Sequence, residues 1–322
     1  MDDRLFLYDQ IMESLRKGDF EISERCVLRP SCFDILARRH VLILLIKILA
    51  NIDSMSEVYA RQMMNIAKML SASPILVGDR TRASEMKEGM VYDRFGVPAV
   101  TPTTLEDMVV RNILPMIFSS RGGHYVQIDG SILKKTRLER HMSKGEVGDN
   151  IGVSRRMIYN YEEENACATF ETALRLEEFL DESIVKPLVI LNIPGGIRDD
   201  KPRFTSKLDR EILSRLSEIG FQVYPIKKAP FNALTIEEGK VMLTNISREK
   251  LRILLKRARI LKSISDTTKT SAFFVLDSGG RKESLEGVPI VHKVELNEME
   301  ESEELVEMLE ERAGGNRLKF KK

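Results

Sequence analysis

Across residues 133–180, apolar positions recur at helical spacing and are broken at regular points by capping and turning residues. Ile132, Leu133 and Leu138 mark the buried stripe of a first helix, whose other face carries Lys134, Lys135, Arg137 and Arg140. Ser143 is placed to cap a second helix, and Glu146 three residues later completes a capping box. Val147 and Ile151, four residues apart, turn that helix toward a core. Gly152 then stands where a left-handed residue reverses the chain without a Cβ clash. Val153 plugs the corner and Ser154 caps a third helix. Met157, Ile158 and Tyr161 define the packed side of this helix, which leaves Arg155, Arg156, Tyr159 and Asn160 facing outward. Thr169 caps a fourth helix, whose Phe170, Ala173, Leu174, Leu176 and Leu180 are expected to close the bundle.

On either side the period shortens to that of strands. The first flank reads as a helix over 5–15, strand-like runs at 24–28, 33–37 and 41–48, a helix over 54–70, and strands at 75–77 and 97–100. The second flank reads as a helix over 208–219, strand-like runs at 221–225, 231–235 and 241–245, a helix over 248–263, and strands at 272–276 and 288–291. Local details repeat as well. Ser31-Cys32-Phe33-Asp34 has its counterpart in Ala229-Pro230-Phe231-Asn232, and Gly96-Val97-Pro98-Ala99-Val100 in Gly287-Val288-Pro289-Ile290-Val291. The layout suggests an internal duplication with the helical module between the copies. Gly122-Gly123-His124 and Pro194-Gly195-Gly196 bracket that module and read as hinges or turns. Residues 295–311 predict one amphipathic helix with an acidic solvent face, and a short basic tail follows at 317–322.

Composition narrows the class. The 322 residues are 43% hydrophobic and 31% charged, with content for two or three domains and a sizeable core. Cys26, Cys32 and Cys167 form neither a CxxC pair nor an even disulfide set, which fits a reducing cytoplasm. Met1-Asp2-Asp3 has no basic leader, and the longest apolar run, 41–46, is too short to cross a bilayer, so no membrane partner is expected. Absence of Trp, with 6% aromatics, argues against a protein that stacks single-stranded bases. The formal charge of the chain is +1, yet 133–161 holds seven cations against three acids. A basic face on a near-neutral protein is the electrostatic signature of nucleic-acid binding.

The residues Ser143-Lys144-Gly145-Glu146-Val147, Gly152-Val153-Ser154-Arg155-Arg156-Met157-Ile158, Tyr161-Glu162 and Thr169-Phe170-Glu171-Thr172-Ala173-Leu174, in that order, resemble the phage-repressor/Cro helix-turn-helix family. With its flanks, the chain resembles the archaeal transcriptional regulators that carry such a domain. The resemblance implies a sequence-specific regulator on double-stranded DNA, with Lys144 approaching phosphate and Ser154 capping the recognition helix. Arg155 and Arg156 would hold the first recognition positions, and Asn160, a turn further on, would read adenine or bind the backbone. Two positions depart from the family: Gly148 replaces the usual Ala, and Ala168 the frequent Pro. The architecture expected is three domains: an α/β (α+β) domain over 1–121, an all-α helix-turn-helix domain of four to five helices over 122–193, and a second α/β domain over 194–322. A homodimer joined through the α/β halves would place two recognition helices about one DNA turn apart.

The order of elements in the flanks also resembles the PD-(D/E)XK restriction-endonuclease-like core, in which an acidic residue and a following E-x-K hold a metal. Asp34 and Lys47 occupy matching places, but Leu45 stands where the second carboxylate belongs, and the second copy has Asn232 for the Asp. A metal-dependent nuclease, or a nuclease-derived DNA-binding protein, is therefore the alternative reading; a protein-binding helical module is another. The four His are scattered without ligand spacing, and Gly78-Asp79-Arg80-Thr81-Arg82 lacks phosphate-loop spacing. No catalytic residue, metal, cofactor or small-molecule effector is assigned, and the expected protein is not an enzyme.

Overall fold

Runs of β-branched and aliphatic residues between turn signals form strands, and capped amphipathic segments form helices, in a computed structural model that describes residues 3–28, 30–195, 206–248, 251–277 and 282–313. In chain order these are α1 (Asp3–Lys17), β1 (Glu21–Ile22), β2 (Ile35–Arg39), β3 (Leu42–Ile48), α2 (Glu57–Met69), β4 (Ser73–Val77), β5 (Met90–Arg94), β6 (Val97–Val100) and α3 (Pro102–Val110). The centre holds β7 (Ile117–Ser120), β8 (Gly123–Ile128), α4 (Gly130–Glu139), α5 (Lys144–Ile151), α6 (Arg155–Glu162), β9 (Ala168–Thr169), α7 (Phe170–Leu180) and β10 (Val185–Lys186). There follow α8 (Lys207–Glu218), β11 (Gln222–Pro225), β12 (Ala233–Glu237), β13 (Lys240–Ser247), α9 (Leu251–Thr268), β14 (Ser271–Leu276), β15 (Ser284–Leu285), β16 (Val288–His292), α10 (Lys293–Glu298) and α11 (Ser302–Arg312).

The chain divides into two compact units, one of residues 1–18, 49–54 and 76–190, the other of 19–48, 55–75 and 191–322. In the first unit the end of β4 runs parallel to β6, β6 antiparallel to β5, and β5 parallel to β7. Gly122-Gly123 turns β7 into β8, which pairs with β9 on one part of its length and β10 on another. In the second unit β1, β2 and β3 form an antiparallel meander, with Ile35 opposite Ile46 and Arg39 opposite Leu42. The same unit contains a six-stranded sheet in the order β11-β12-β13-β14-β16-β15. Its core joins α8 to the sheet: Leu208, Ile212 and Leu216 pack with Phe273, Val275, Val291 and, from the last helix, Leu305 and Leu309.

The expected duplication is visible atom by atom in the second unit. Asp34 N donates to Ile46 O at 2.8 Å, and Asn232 N donates to Thr244 O at 2.9 Å. Ile48 N donates to Asp34 Oδ2 at 2.9 Å, and Ile246 N donates to Asn232 Oδ1 at 2.9 Å. Cys26 N donates to the Asp34 carbonyl, as Ile226 N does to that of Asn232. The two copies meet on these segments: the rings of Phe33 and Phe231, matching residues, lie 6.5 Å apart, and Cys32 N donates to Lys228 O. Contact between matching residues is the mark of an isologous interface. It is reinforced from both sides, since Gln62 of α2 accepts from Lys227 N and Lys228 N, and Ser263 of α9 accepts from Glu24 N.

Several boundaries differ from expectation. The run at 24–28 is irregular, and β1 lies earlier, at Glu21–Ile22. The helix expected over 54–70 begins at Glu57, where Ser56 caps it. The single helix expected over 295–311 is two, because Met299 adopts an extended backbone and is buried, while Glu304 recaps the chain at Glu300 N and Glu301 N. Strands β5, β7 and β8 are additions to the expected elements. The basic tail at 317–322, Gly196 and residues 249–250 of the helix expected over 248–263 lie outside the described residues. Among the described residues no helix is long and apolar enough to cross a membrane.

Candidate nucleic-acid interface

The central module forms as its local signals dictate. Asp129 caps α4, and Ser143 accepts from Glu146 N at 3.2 Å while Glu146 Oε2 accepts from Ser143 N at 2.7 Å, a complete capping box. Gly152 takes φ 78°, the left-handed geometry the reversal needs. Ser154 Oγ accepts from Met157 N at 3.2 Å and starts α6, and Thr169 caps α7. The core joins Leu133, Val147, Ile151, Ile158, Tyr161, Ala173, Leu176 and Leu180 to Val126 and Ile128 of β8 and Ile184. Four helices are present, within the expected number, and β8, β9 and β10 brace them.

Gly148, a departure from the family pattern, has a cause in this turn. A Cβ there would lie 2.6 Å from Val153 O and 3.3 Å from the Ser154 carbonyl carbon. The backbone entering α6 passes too close to α5 for any side chain. Gly148→Ala is expected to destabilise the module by about 1–3 kcal/mol despite its better helix propensity, seen as a lower Tm by circular dichroism.

Four predicted orientations are corrected. Leu138 was expected in the buried stripe and is exposed, whereas Arg137 was expected outside and is buried. Arg137 Nε meets Glu162 Oε1 at 2.5 Å and its Nη1 donates to Met142 O. Phe170 and Leu174 were expected to close the bundle, and both are exposed on α7. Arg140 is not a free surface cation either, for its guanidinium binds the carbonyls of Leu180 and Phe179 at the end of α7. Cations at a helix C-terminus stabilise its unpaired carbonyls and dipole.

The six predicted contact residues lie on two adjacent elements. Lys144, at the first position of α5, pairs with Glu162 Oε2 at 3.0 Å and sits 4.6 Å from the centroid of the Tyr159 ring. Lys144 and Tyr159 therefore form one surface, with the tyrosine 47% exposed. Ser154, Arg155 and Arg156 are exposed at the start of α6, and neither arginine has an ion-pair partner among the described residues. Asn160 is half-buried and follows on the next turn. The result is a helix N-terminus with two free guanidinium groups, next to a cation held by a tyrosine ring. Such an end attracts phosphate and carries side chains long enough to reach base edges.

Glu162, whose role no local sequence signal marks, ties this surface to the core. Burial raises its pKa, but the hydrogen bonds and charges of Arg137 and Lys144 outweigh burial and hold the carboxyl below its ordinary 4.5. A depressed carboxyl contributes stability above its unfolded pKa, and that contribution is lost as pH falls through the folded value. The Tm of the parent should accordingly drop on acidification below 4.5, the ordinary value of this carboxyl. Glu162→Gln should be less stable at neutral pH, with a flatter acid limb. An identical acid limb in both proteins would remove Glu162 from this role.

These features define a helix-turn-helix DNA-binding domain in a chain whose N-terminal α/β segment is nuclease-like. Residues 133–186 match the helix-turn-helix family, and residues 4–115 match the PD-(D/E)XK superfamily domain. Three archaeal relatives carry the name "Putative HTH-type transcriptional regulatory protein". The one from Thermococcus gammatolerans is 36% identical over 94% of this chain and 95% of its own. That from Methanosarcina acetivorans is 35% identical over 96% and 98%, and that from Pyrococcus abyssi 41% over 88% and 90%. The chain belongs to this family of HTH-type transcriptional regulatory proteins. No solved structure matches it.

Proposed function

We propose that the protein regulates transcription by binding a specific double-stranded DNA sequence, with α6 in the major groove. The observation that carries this is the pair of unpaired, exposed guanidinium groups of Arg155 and Arg156 at the capped start of α6. Arg155, Arg156 and Asn160 are assigned to base edges and the adjacent backbone, and Lys144, Ser154 and Tyr159 to phosphate and sugar. The three-part division at 1–121, 122–193 and 194–322, homodimerisation and a cytoplasmic location belong to the same reading. A single helix-turn-helix buries limited area, so a second copy supplies the affinity a regulator needs.

A nuclease reading is raised by the PD-(D/E)XK match, and the residues do not fit its metal. Asp34 Oδ2 lies 3.3 Å from Lys47 Nζ, and the two side chains are 1% and 5% exposed. Asp34 accepts from Ile48 N, Lys47 donates to Ser31 O, and Leu45 fills the place of the second carboxylate in full burial. A hard cation needs several oxygen ligands, and among the described residues no group of three ligating side chains forms. The neighbouring Cys32 thiol is pushed up to about 12 by burial, so it supplies no thiolate. We assign this site to holding the fold.

The test is a mobility shift with labelled genomic fragments across a salt series. Selective retention of some fragments, with affinity falling linearly in log salt, supports the reading. Equal, weak retention of all fragments would overturn it, and magnesium-dependent cleavage lost in Asp34→Ala would favour the nuclease.

A further inference from the structure

The faces by which the two α/β copies could pair with one another are already joined within the chain, through Phe33 and Phe231 and the Cys32–Lys228 hydrogen bond. That isologous face is consumed internally, and a second chain needs another. Helix α7 supplies one. Its Ala173, Leu176 and Leu180 are buried in the module core, while Phe170 and Leu174 stand exposed, four residues apart, on the opposite side. Large apolar side chains in a row on an outer helix face mark an interaction surface when a complementary partner can be named.

The charges beside that row name it. Glu171 and Arg175 form a second row, also four apart, along the flank of Phe170 and Leu174. Both are exposed, and neither has an ion-pair partner among the described residues; Arg175 Nε donates only to the Glu171 carbonyl, at 3.4 Å. When two copies of a helix pack antiparallel about a two-fold axis, each flank faces the same flank of the other copy in reverse. Phe170 then meets the other copy's Leu174, and Glu171 meets the other copy's Arg175. Each contact is made twice. One apolar row and one charge pair on a single helix are together complementary to themselves, and to no surface of uniform charge.

We infer that α7 is the face through which two copies of this chain dimerise, antiparallel, with Phe170 and Leu174 at the centre and reciprocal Glu171–Arg175 pairs at the edge. The inference locates the homodimer of the proposed function and rests on that part of it. One helix-to-helix contact covers well below the about 800 Å² per partner of a standard interface, so the dimer is a weak one, dissociating in the micromolar range and strengthened when both copies hold one DNA. Glu178, next along the apolar row, falls beyond the paired turn and remains in solvent.

Sedimentation velocity of the full chain without DNA, from 1 to 100 µM (roughly the range a weak interface spans), tests this. The parent is expected to show a reversible monomer–dimer equilibrium. Leu174→Glu should abolish it, and Glu171→Arg or Arg175→Glu alone should weaken it at least about tenfold, a loss of about 1.4 kcal/mol. The double variant Glu171→Arg/Arg175→Glu restores opposite charges across the axis and should recover to within about threefold of the parent. All of these positions are exposed, and unchanged circular dichroism confirms folding. A parent that stays monomeric at the highest concentration overturns the inference, as does a dimer indifferent to the single reversals or not rescued by the double. Because no DNA is present, failure here leaves DNA binding intact, and loss of DNA selectivity with the dimer preserved would sink only the DNA reading.

Discussion

Arg155→Ala is expected to lower affinity for a selected operator by about 5- to 150-fold, corresponding to about 1–3 kcal/mol, and to relax base preference at one position of each half-site. The expectation follows from local geometry. Ser154 fixes the first turn of α6, which gives the Arg155 side chain a defined origin, and no acidic neighbour among the described residues competes for its guanidinium. Arg156 should behave similarly, with a share of its effect on backbone contact. Lys144→Ala makes the contrast. Its ammonium is shared between Glu162 and the Tyr159 ring, so its loss should weaken operator and random DNA by similar factors and flatten the salt slope. Competition titrations on matched and mismatched duplexes separate the two patterns. Equal losses on operator and random DNA for Arg155→Ala would remove it from base reading.

The second large effect concerns the buried pair in the first copy. Lys47→Ala removes the ammonium that lies 3.3 Å from the buried Asp34 carboxylate, and the expected loss is about 3–5 kcal/mol of unfolding free energy. The second copy shows how the same position is built without charge. Asn232 Oδ1 accepts from Ile246 N as Asp34 does from Ile48 N, and Asn245, matching Lys47, donates from Nδ2 to Pro230 O. The double variant Asp34→Asn/Lys47→Asn copies that arrangement and should be more stable than either Asp34→Asn or Lys47→Asn alone. Recovery will be partial, because Asn245 Oδ1 is itself buried with no hydrogen-bond partner among the described residues. Urea unfolding of the full chain measures this. Additive losses in the double variant would show that the two copies do not share one design.

What could be read from the sequence was what is local. Ser143 with Glu146, Gly152, Ser154 and Thr169 each act within three or four residues, and all took the expected roles. The repeat was legible for the same reason, since Phe33-Asp34 and Phe231-Asn232 announce themselves as short strings. The misassigned positions depend on distant partners. Arg137 is drawn inward by Glu162, on another helix, and Leu138 is turned outward in consequence, although spacing alone favoured the leucine. Strands β7 and β8 are hard to read because the alternation on either side of the Gly122-Gly123 turn is weak, and Met299 breaks an otherwise continuous helical pattern by entering the core. That Phe33 and Phe231 touch was beyond any periodicity argument.

The DNA that the protein selects is the most direct test of its function. Repeated selection from a random duplex pool with the full chain should enrich one sequence, its half-sites about 10–10.5 base pairs apart centre to centre, and Arg155→Ala/Arg156→Ala should lose the enrichment while remaining folded. A pool that stays random through every round, or one enriched equally by the double variant, would contradict the claim that α6 reads DNA.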